Sequence, residues 1–316
     1  MRNEEKKAED NVSMVIQFVL LGFYDLPNLQ GLLFTLFSII YMIILIGNSL
    51  LIILTRLDTQ LLQKPMYFFL ANFSALEICF VSVTMPRMLK NLWTQYRIIS
   101  KLECATQMCF FHTLGATECF FLATMAYDRY VAVCKPLHYP VVMNHKSCIR
   151  LAIAAWISGI PVQIGQTCQV FFLPYCGSNR INHFFCDIPP LIKLACGDTS
   201  LNEMCVYLVV VFFVFAPFFL ILGSYVKIIF TILKMPSATG RFKAFSTCSS
   251  HLIVVLLFFG SISINYLRPK SSHSPLSDKM FSLLYTIMTP LFNPLIYSLR
   301  NKDVITALKK LFLRKV

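Results

Sequence analysis

The sequence predicts an all-α membrane protein: a seven-transmembrane helix bundle with a short C-terminal amphipathic helix. Composition is the first reason. Hydrophobic residues fill 57% of the 316 positions and charged residues only 14%, whereas a soluble domain carries about 25% charged residues. The second reason is the recurrence of long tracts nearly free of charge, each near the ~20 residues that cross a hydrocarbon layer as a helix. Barrel strands would be half that length, so the tracts are read as helices. One membrane domain accounts for the chain: a tail over 1–30 outside, the bundle over 31–299, and a cytoplasmic tail over 300–316. No internal repeat, linker or low-complexity tract points to a second domain.

Taken in order, the apolar run from Met14 to Phe23 is too short to span and lacks a small-residue cleavage site, so no cleaved signal peptide is expected. Asn11-Val12-Ser13 is an outward-facing acceptor pattern for N-glycosylation. The first span, 31–54, acts as the anchor. The second, 66–86, carries Glu77; its Asn72-Phe73-Ser74 is an empty match, because it lies inside the membrane. The third, 105–127, holds His112 and Glu118 and ends in Asp128-Arg129-Tyr130. The fourth, 148–167, is the weakest, with Ser158, Gly159, Pro161, Gln163 and Gln166 interrupting it. Spans over 204–230, 244–266 and 280–299 complete the set. Beyond them Leu308, Leu311 and Phe312 share helical spacing with Lys302, Lys309, Lys310, Arg314 and Lys315, the pattern of a helix lying on an inner membrane surface.

An odd number of spans puts the termini on opposite sides. With the N-terminus outside, inner segments hold 16 of the 28 Lys and Arg and outer segments 12. Only Asp58, Asp128 and Asp303 fall inside, so nearly all of the +13 net charge lies on the cytoplasmic face. Such a face suits anionic lipid and an acidic intracellular partner. Nucleic acid is no partner, since the charge is split among short loops. Asp128 and Arg129 form a charge pair where a helix leaves the membrane, and a pair that can be made or broken there is a natural switch. A transporter or channel fits poorly, because paired half-helices are missing. An enzyme fits less well still: there is no His-Glu-x-x-His, phosphate-binding glycine loop or nucleophile motif.

Of the 12 cysteines, eight lie in or near spans, where they read as small buried hydrophobes. Cys104, Cys176, Cys186 and Cys196 lie outside, and four such cysteines allow three pairings.

Several short motifs then coincide in order: Gly47-Asn48, Pro65-Met66-Tyr67-Phe68-Phe69-Leu70, the run from Met125 to Pro140, Ser224-Tyr225, the stretch Lys243 to His251, and Pro290 to Asn301 with Asn293-Pro294 and Tyr297. Together with the three-cysteine loop they resemble the rhodopsin-like G-protein-coupled receptors, and among them the olfactory (odorant) receptors, over nearly the whole chain. Two departures stand out. Glu77 replaces the usual Asp of the wider family, and Phe258-Phe259-Gly260 lacks both the Trp of many receptors and the Tyr usual in olfactory ones.

The resemblance implies a multi-pass plasma-membrane receptor that binds small volatile odorants and activates a stimulatory, olfactory-type heterotrimeric G protein, raising cyclic AMP without a cofactor. It implies disulfides Cys104–Cys186 and Cys176–Cys196. Asp128 is expected to hold Arg129 at rest, with Tyr130, Tyr225, Asn293, Pro294 and Tyr297 in the coupling machinery. Asn48, Glu77 and Glu118 are expected to form a polar core that binds a proton or a sodium ion, since two close carboxylates in low dielectric do not both ionise without a cation. The ligand pocket is expected in the outer half. Helical spacing aligns Phe111, His112, Gly115, Ala116 and Cys119 on the third span, facing Val209, Phe212 and Phe213, then Phe259, Ile262, Ser263 and Tyr266, then Leu283 and Thr286. An amine ligand is disfavoured, because no acid stands in the outer half of the third span. His112 and Tyr266 are the leading hydrogen-bonding candidates.

Overall fold

The computed structural model describes residues 16–94, 96–176, 178–266, 275–299 and 302–313. Asn11, the expected glycan acceptor, lies outside the described residues. The chain enters as strand β1 (Gln17–Leu20) and turns at Gly22, whose φ of +52° suits a residue without a Cβ. Helix α1 (Gln30–Leu57) ends at Asp58, whose carboxylate accepts from the N–H groups of Gln60 and Leu61 and caps one helical turn. Helix α2 (Pro65–Thr94) opens on Pro65, where the missing N–H would have had no partner in any case. Strand β2 (Ile98–Ser100) leads into α3 (Lys101–Cys134), which starts on a reciprocal capping box between Ser100 and Glu103.

Helix α4 (His145–Phe171) is capped by Asn144 and broken at Gly159, just before Pro161. After β3 (Arg180–Ile181) come α5 (Ser200–Leu233), α6 (Ala238–Tyr266), α7 (275–299) and α8 (Lys302–Leu313). Both α5 and α7 contain one widened π turn, Val211–Phe215 and Leu284–Met288. Pro217 and Pro290 follow these turns closely, and each removes an N–H that a regular α turn would use.

Six of these helices are long and apolar enough to cross a membrane among the described residues, and α7 completes the bundle by packing on α1, α2 and α6. The helices run past the apolar spans at several ends: α3 begins at Lys101 and continues to Cys134. Hydropathy marks where hydrocarbon stops, whereas a helix stops where its caps are, and caps stand in the headgroup layer. Helices α2 and α3 are the most enclosed, while α1 and α5 turn most of their apolar surface outward, toward lipid. Two glycines set close approaches. A Cβ at Gly47 would stand 3.3 Å from the Pro294 ring on α7, and one at Gly159 would stand 3.1 Å from the Ala116 Cβ on α3.

At one end of the bundle β1 lies between β2, antiparallel, and β3, parallel, tying the N-terminal segment to two loops. At the opposite end of the bundle α8 buries Val304 and Ala307 and exposes Lys309 and Lys310. It is pinned to the α1–α2 connection by Lys64–Asp303 (2.5 Å), Tyr67–Asp303 (3.1 Å) and Lys310–Asp58 (3.7 Å).

Candidate functional site

The loop between α4 and α5 forms a roof. Cys186 is bonded to Cys104 at the start of α3 (Cα–Cα 5.5 Å), and Cys176 to Cys196 within the loop (5.9 Å). Beside the first bridge, the Cys186 N–H donates to Gln107 Oε1 at 3.0 Å, and the Gln107 amide donates to the Val83 carbonyl of α2. His183 reaches Ser282 of α7 at 3.0 Å. Asp187 accepts from the Ile188 N–H (2.8 Å) and stands 3.2 Å from Nε2 of His112. Burial alone would raise the Asp187 carboxyl, but the hydrogen bond and charge of His112 outweigh it and hold it below the usual carboxylate range. His183 is pushed down to about 4: burial disfavours its cation and Lys279 opposes it, more than Asp187 compensates.

The contacts of His112 fix its ring. A carbonyl only accepts, so Nδ1, 2.9 Å from the Met108 oxygen, carries a proton. Nε2 then faces the Asp187 carboxylate.

Beneath the roof lies a cavity of about 660 Å³, counted with the space at its mouth. Phe111, His112, Gly115, Ala116 and Cys119 line it from α3, and Val206, Val209, Val210, Phe213 and Val214 from α5. Phe258 and Ile262 of α6, Tyr285 of α7, Phe80 of α2, Ile188 of the roof, and Gln163 and Gln166 of α4 close it. The lining is almost wholly apolar, as small-molecule sites usually are. Gln166 Nε2 is buried and has no hydrogen-bond partner among the described residues, an arrangement that costs about 1–3 kcal/mol if nothing satisfies it.

Deeper in the bundle Glu77 and Glu118 are both 0% exposed, and their carboxyls face one another between α2 and α3. The Asn293 amide of α7 donates to Glu77 Oε1, and the Asn48 amide of α1 donates to the Ile44 (3.0 Å) and Pro290 (3.3 Å) carbonyls. No described donor reaches Glu77 Oε2, either Glu118 oxygen, or Oδ1 of Asn48 and Asn293. Five buried acceptor oxygens, from α1, α2, α3 and α7, thus stand without a described donor.

At the inner end Asp128 is buried and accepts from the Tyr139 hydroxyl at 2.8 Å. It forms no ion pair with Arg129, contrary to the pairing expected from the motif. Asp128 and Arg129 are adjacent on a helix and point about 100° apart, so Asp128 turns to the following loop. The Arg129 charge acts on Asp128 without contact, and it also lies near Tyr225 of α5 and Cys248 and His251 of α6. Tyr225 clips those two helices together: its hydroxyl stands 2.7 Å from His251 Nδ1 and 3.3 Å from the Cys248 carbonyl, and the rings stack at 5.7 Å. Tyr130 is half-buried with Lys135 5.9 Å above its ring. Pro294 is buried against Gly47. The side chains of Tyr266 and Tyr297 lie outside the described residues.

Comparison with known proteins matches residues 37–315 to the family model described as olfactory receptor. The chain belongs to the olfactory receptor family. Human relatives include olfactory receptor 10AG1, 59% identical over 94% of this chain and 98% of its own length, and olfactory receptor 10A7, 52% identical over 97% of each. Among solved structures the crystal structure of squid rhodopsin superposes with a TM-score of 0.73, covering 90% of this chain and 80% of the rhodopsin at 17% identity, a likeness of fold. The receptor is therefore a multi-pass signalling protein with the rhodopsin-like bundle, and not an enzyme.

Five residues expected in the pocket do not line it: Phe212, Phe259, Ser263, Leu283 and Thr286. Phe212 is 66% exposed on the outer surface of α5; the wall follows the helical spacing Val206, Val209, Val210, Phe213 and Val214, which leaves Phe212 off that face. Thr286 is buried with its hydroxyl on the Ser282 carbonyl (2.7 Å), and the π turn of α7 presents Tyr285 in its place. Phe259 packs on Phe218 of α5 at 5.2 Å, so the α6 wall is Phe258 and Ile262, four residues apart. The α4 glutamines went unassigned to the receptor's pocket, although two amides three apart in an apolar span were the available signal.

Proposed function

We propose that the receptor binds small volatile odorants in the outer cavity and activates a stimulatory, olfactory-type G protein at its inner face, raising cyclic AMP. The observation that carries this reading is an apolar cavity that shares α5 and α6 with the Tyr225–His251 clip and Arg129 at the other end. A ligand seated between Phe213, Phe258 and Ile262 favours whichever arrangement of α5 and α6 fits it better, and only such a differential contact can shift the equilibrium. Outward movement of α6 would part Tyr225 from His251 and open Arg129 to the partner protein. Asn293 and Tyr297 of α7, with Pro294 beside Gly47, complete the coupling machinery. Glu77, Glu118, Asn48 and Asn293 hold a proton or a sodium ion at the level between cavity and clip.

The N-terminus is outside, with Asn11 glycosylated, and the C-terminus is cytoplasmic. The excess of inner Lys and Arg and the near absence of inner acids support that orientation. An odorant panel applied to cells expressing the chain tests the reading. Cyclic AMP should rise with odorant while ion and solute flux stay unchanged; odorant-dependent flux without cyclic AMP would indicate a channel or transporter.

A further inference from the structure

Building on the odorant-binding reading above, we propose that the cavity selects uncharged odorants bearing a carbonyl or ester oxygen, which accepts a hydrogen bond from the side-chain amide of Gln166. The break of α4 at Gly159 lets that helix approach Ala116 of α3 closely, so the following turns of α4 reach the cavity wall. Gln163 and Gln166 stand three residues apart on that face, 4% and 6% exposed, and both line the cavity. Lipid gives a glutamine no reason to be there, and protein gives Gln166 none either: its Nε2 is buried without an acceptor among the described residues.

His112, also in the wall, is not available. It spends Nδ1 on the Met108 carbonyl, and its Nε2 faces Asp187. Among the described residues no carboxylate lines the cavity, so an amine finds no counter-ion there, and the Asp187 carboxylate stands beside His112 where it repels an acid. A neutral acceptor remains. A carbonyl oxygen meets the orphaned N–H directly.

The test uses the full-length receptor in lipid nanodiscs, with thermal protection as the binding readout, and cyclic AMP in cells measured in parallel. Heptanal and methyl octanoate are each compared with the hydrocarbon of equal chain length. The carbonyl compounds should protect at concentrations about tenfold lower than their hydrocarbons, and Gln166→Met, which keeps the shape and removes the donor, should bring the two within about twofold. Should that variant assemble poorly, Gln166→Asn keeps the amide on a shorter arm and should weaken protection by the carbonyl compounds alone. Equal protection by both classes, or a loss shared equally by both in the variants, would overturn the assignment. Carbonyl-selective protection without cyclic AMP would sustain the ligand class and overturn the signalling reading. Cyclic AMP evoked alike by hydrocarbons and carbonyl compounds would do the opposite.

Discussion

His112 does two jobs at once, lining the cavity and holding the roof through Asp187. Replacing it by Phe leaves the buried Asp187 carboxylate without the polar neighbour that faces it, a change that costs about 1–3 kcal/mol or more. His112→Phe should therefore lower surface density and responses to polar and apolar odorants alike, and Asp187→Asn added to it should restore part of the loss. A changed ligand ranking at full surface density would instead make His112 chiefly a ligand contact. His183 supplies a pH dependence with a definite sign. Its folded value of about 4 lies below the ordinary imidazole value of 6.5, so the unfolded chain takes up the proton first. Stability should be full above pH ~6.5 and fall by up to roughly 3 kcal/mol as pH drops toward 4. Melting temperature of purified receptor against pH checks this, and His183→Asn should flatten the curve. Glu77, Glu118 and His112 were legible in the sequence because each is expensive in an apolar span. Their partners were not: that Asp128 turns to Tyr139 and Asp187 to His112 depends on which way neighbouring side chains point, and an order of residues carries little of that.

Among elements, the apolar spans and the break in α4 could be read directly, since Gly159 and Pro161 interrupt a tract by known backbone chemistry. The π turns could not. Periodicity assumes 3.6 residues per turn, and inside the widened turn of α7 it is Tyr285 and not Thr286 that faces the wall. The strand at Gln17–Leu20 was equally hidden, because its pairing with Ile98–Ser100 and Arg180–Ile181 joins segments far apart in the chain. Two element-level outcomes follow from the packing. Gly159→Val places a branched side chain where a Cβ alone would meet Ala116 at 3.1 Å, so α4 must shift; a loss of about 1–3 kcal/mol in stability is expected, seen as a lower melting temperature. Cys104→Ser unpins the roof from α3 and removes a crosslink worth about 2–5 kcal/mol, so surface expression or response should disappear. Peptide mapping of non-reduced protein that found Cys104 as a free thiol would reject that bridge.

For the whole molecule, the bundle was legible because hydrocarbon forces each crossing segment to satisfy its own backbone, leaving few architectures for seven apolar tracts. What joins the cavity to the inner face is a property of the assembled helices: α5 and α6 wall the cavity at one end and are clipped by Tyr225 and His251 at the other. Linkage then requires that the inner partner raise odorant affinity by the same factor by which odorant raises the partner's. Arg129→Ala tests this account most directly, since Arg129 is half-buried beside the clip and touches neither roof nor cavity. Odorant-evoked cyclic AMP and odorant protection are to be measured for wild type and variant at equal surface density. The account predicts that the variant binds odorant and raises no cyclic AMP; undiminished cyclic AMP from Arg129→Ala would contradict it.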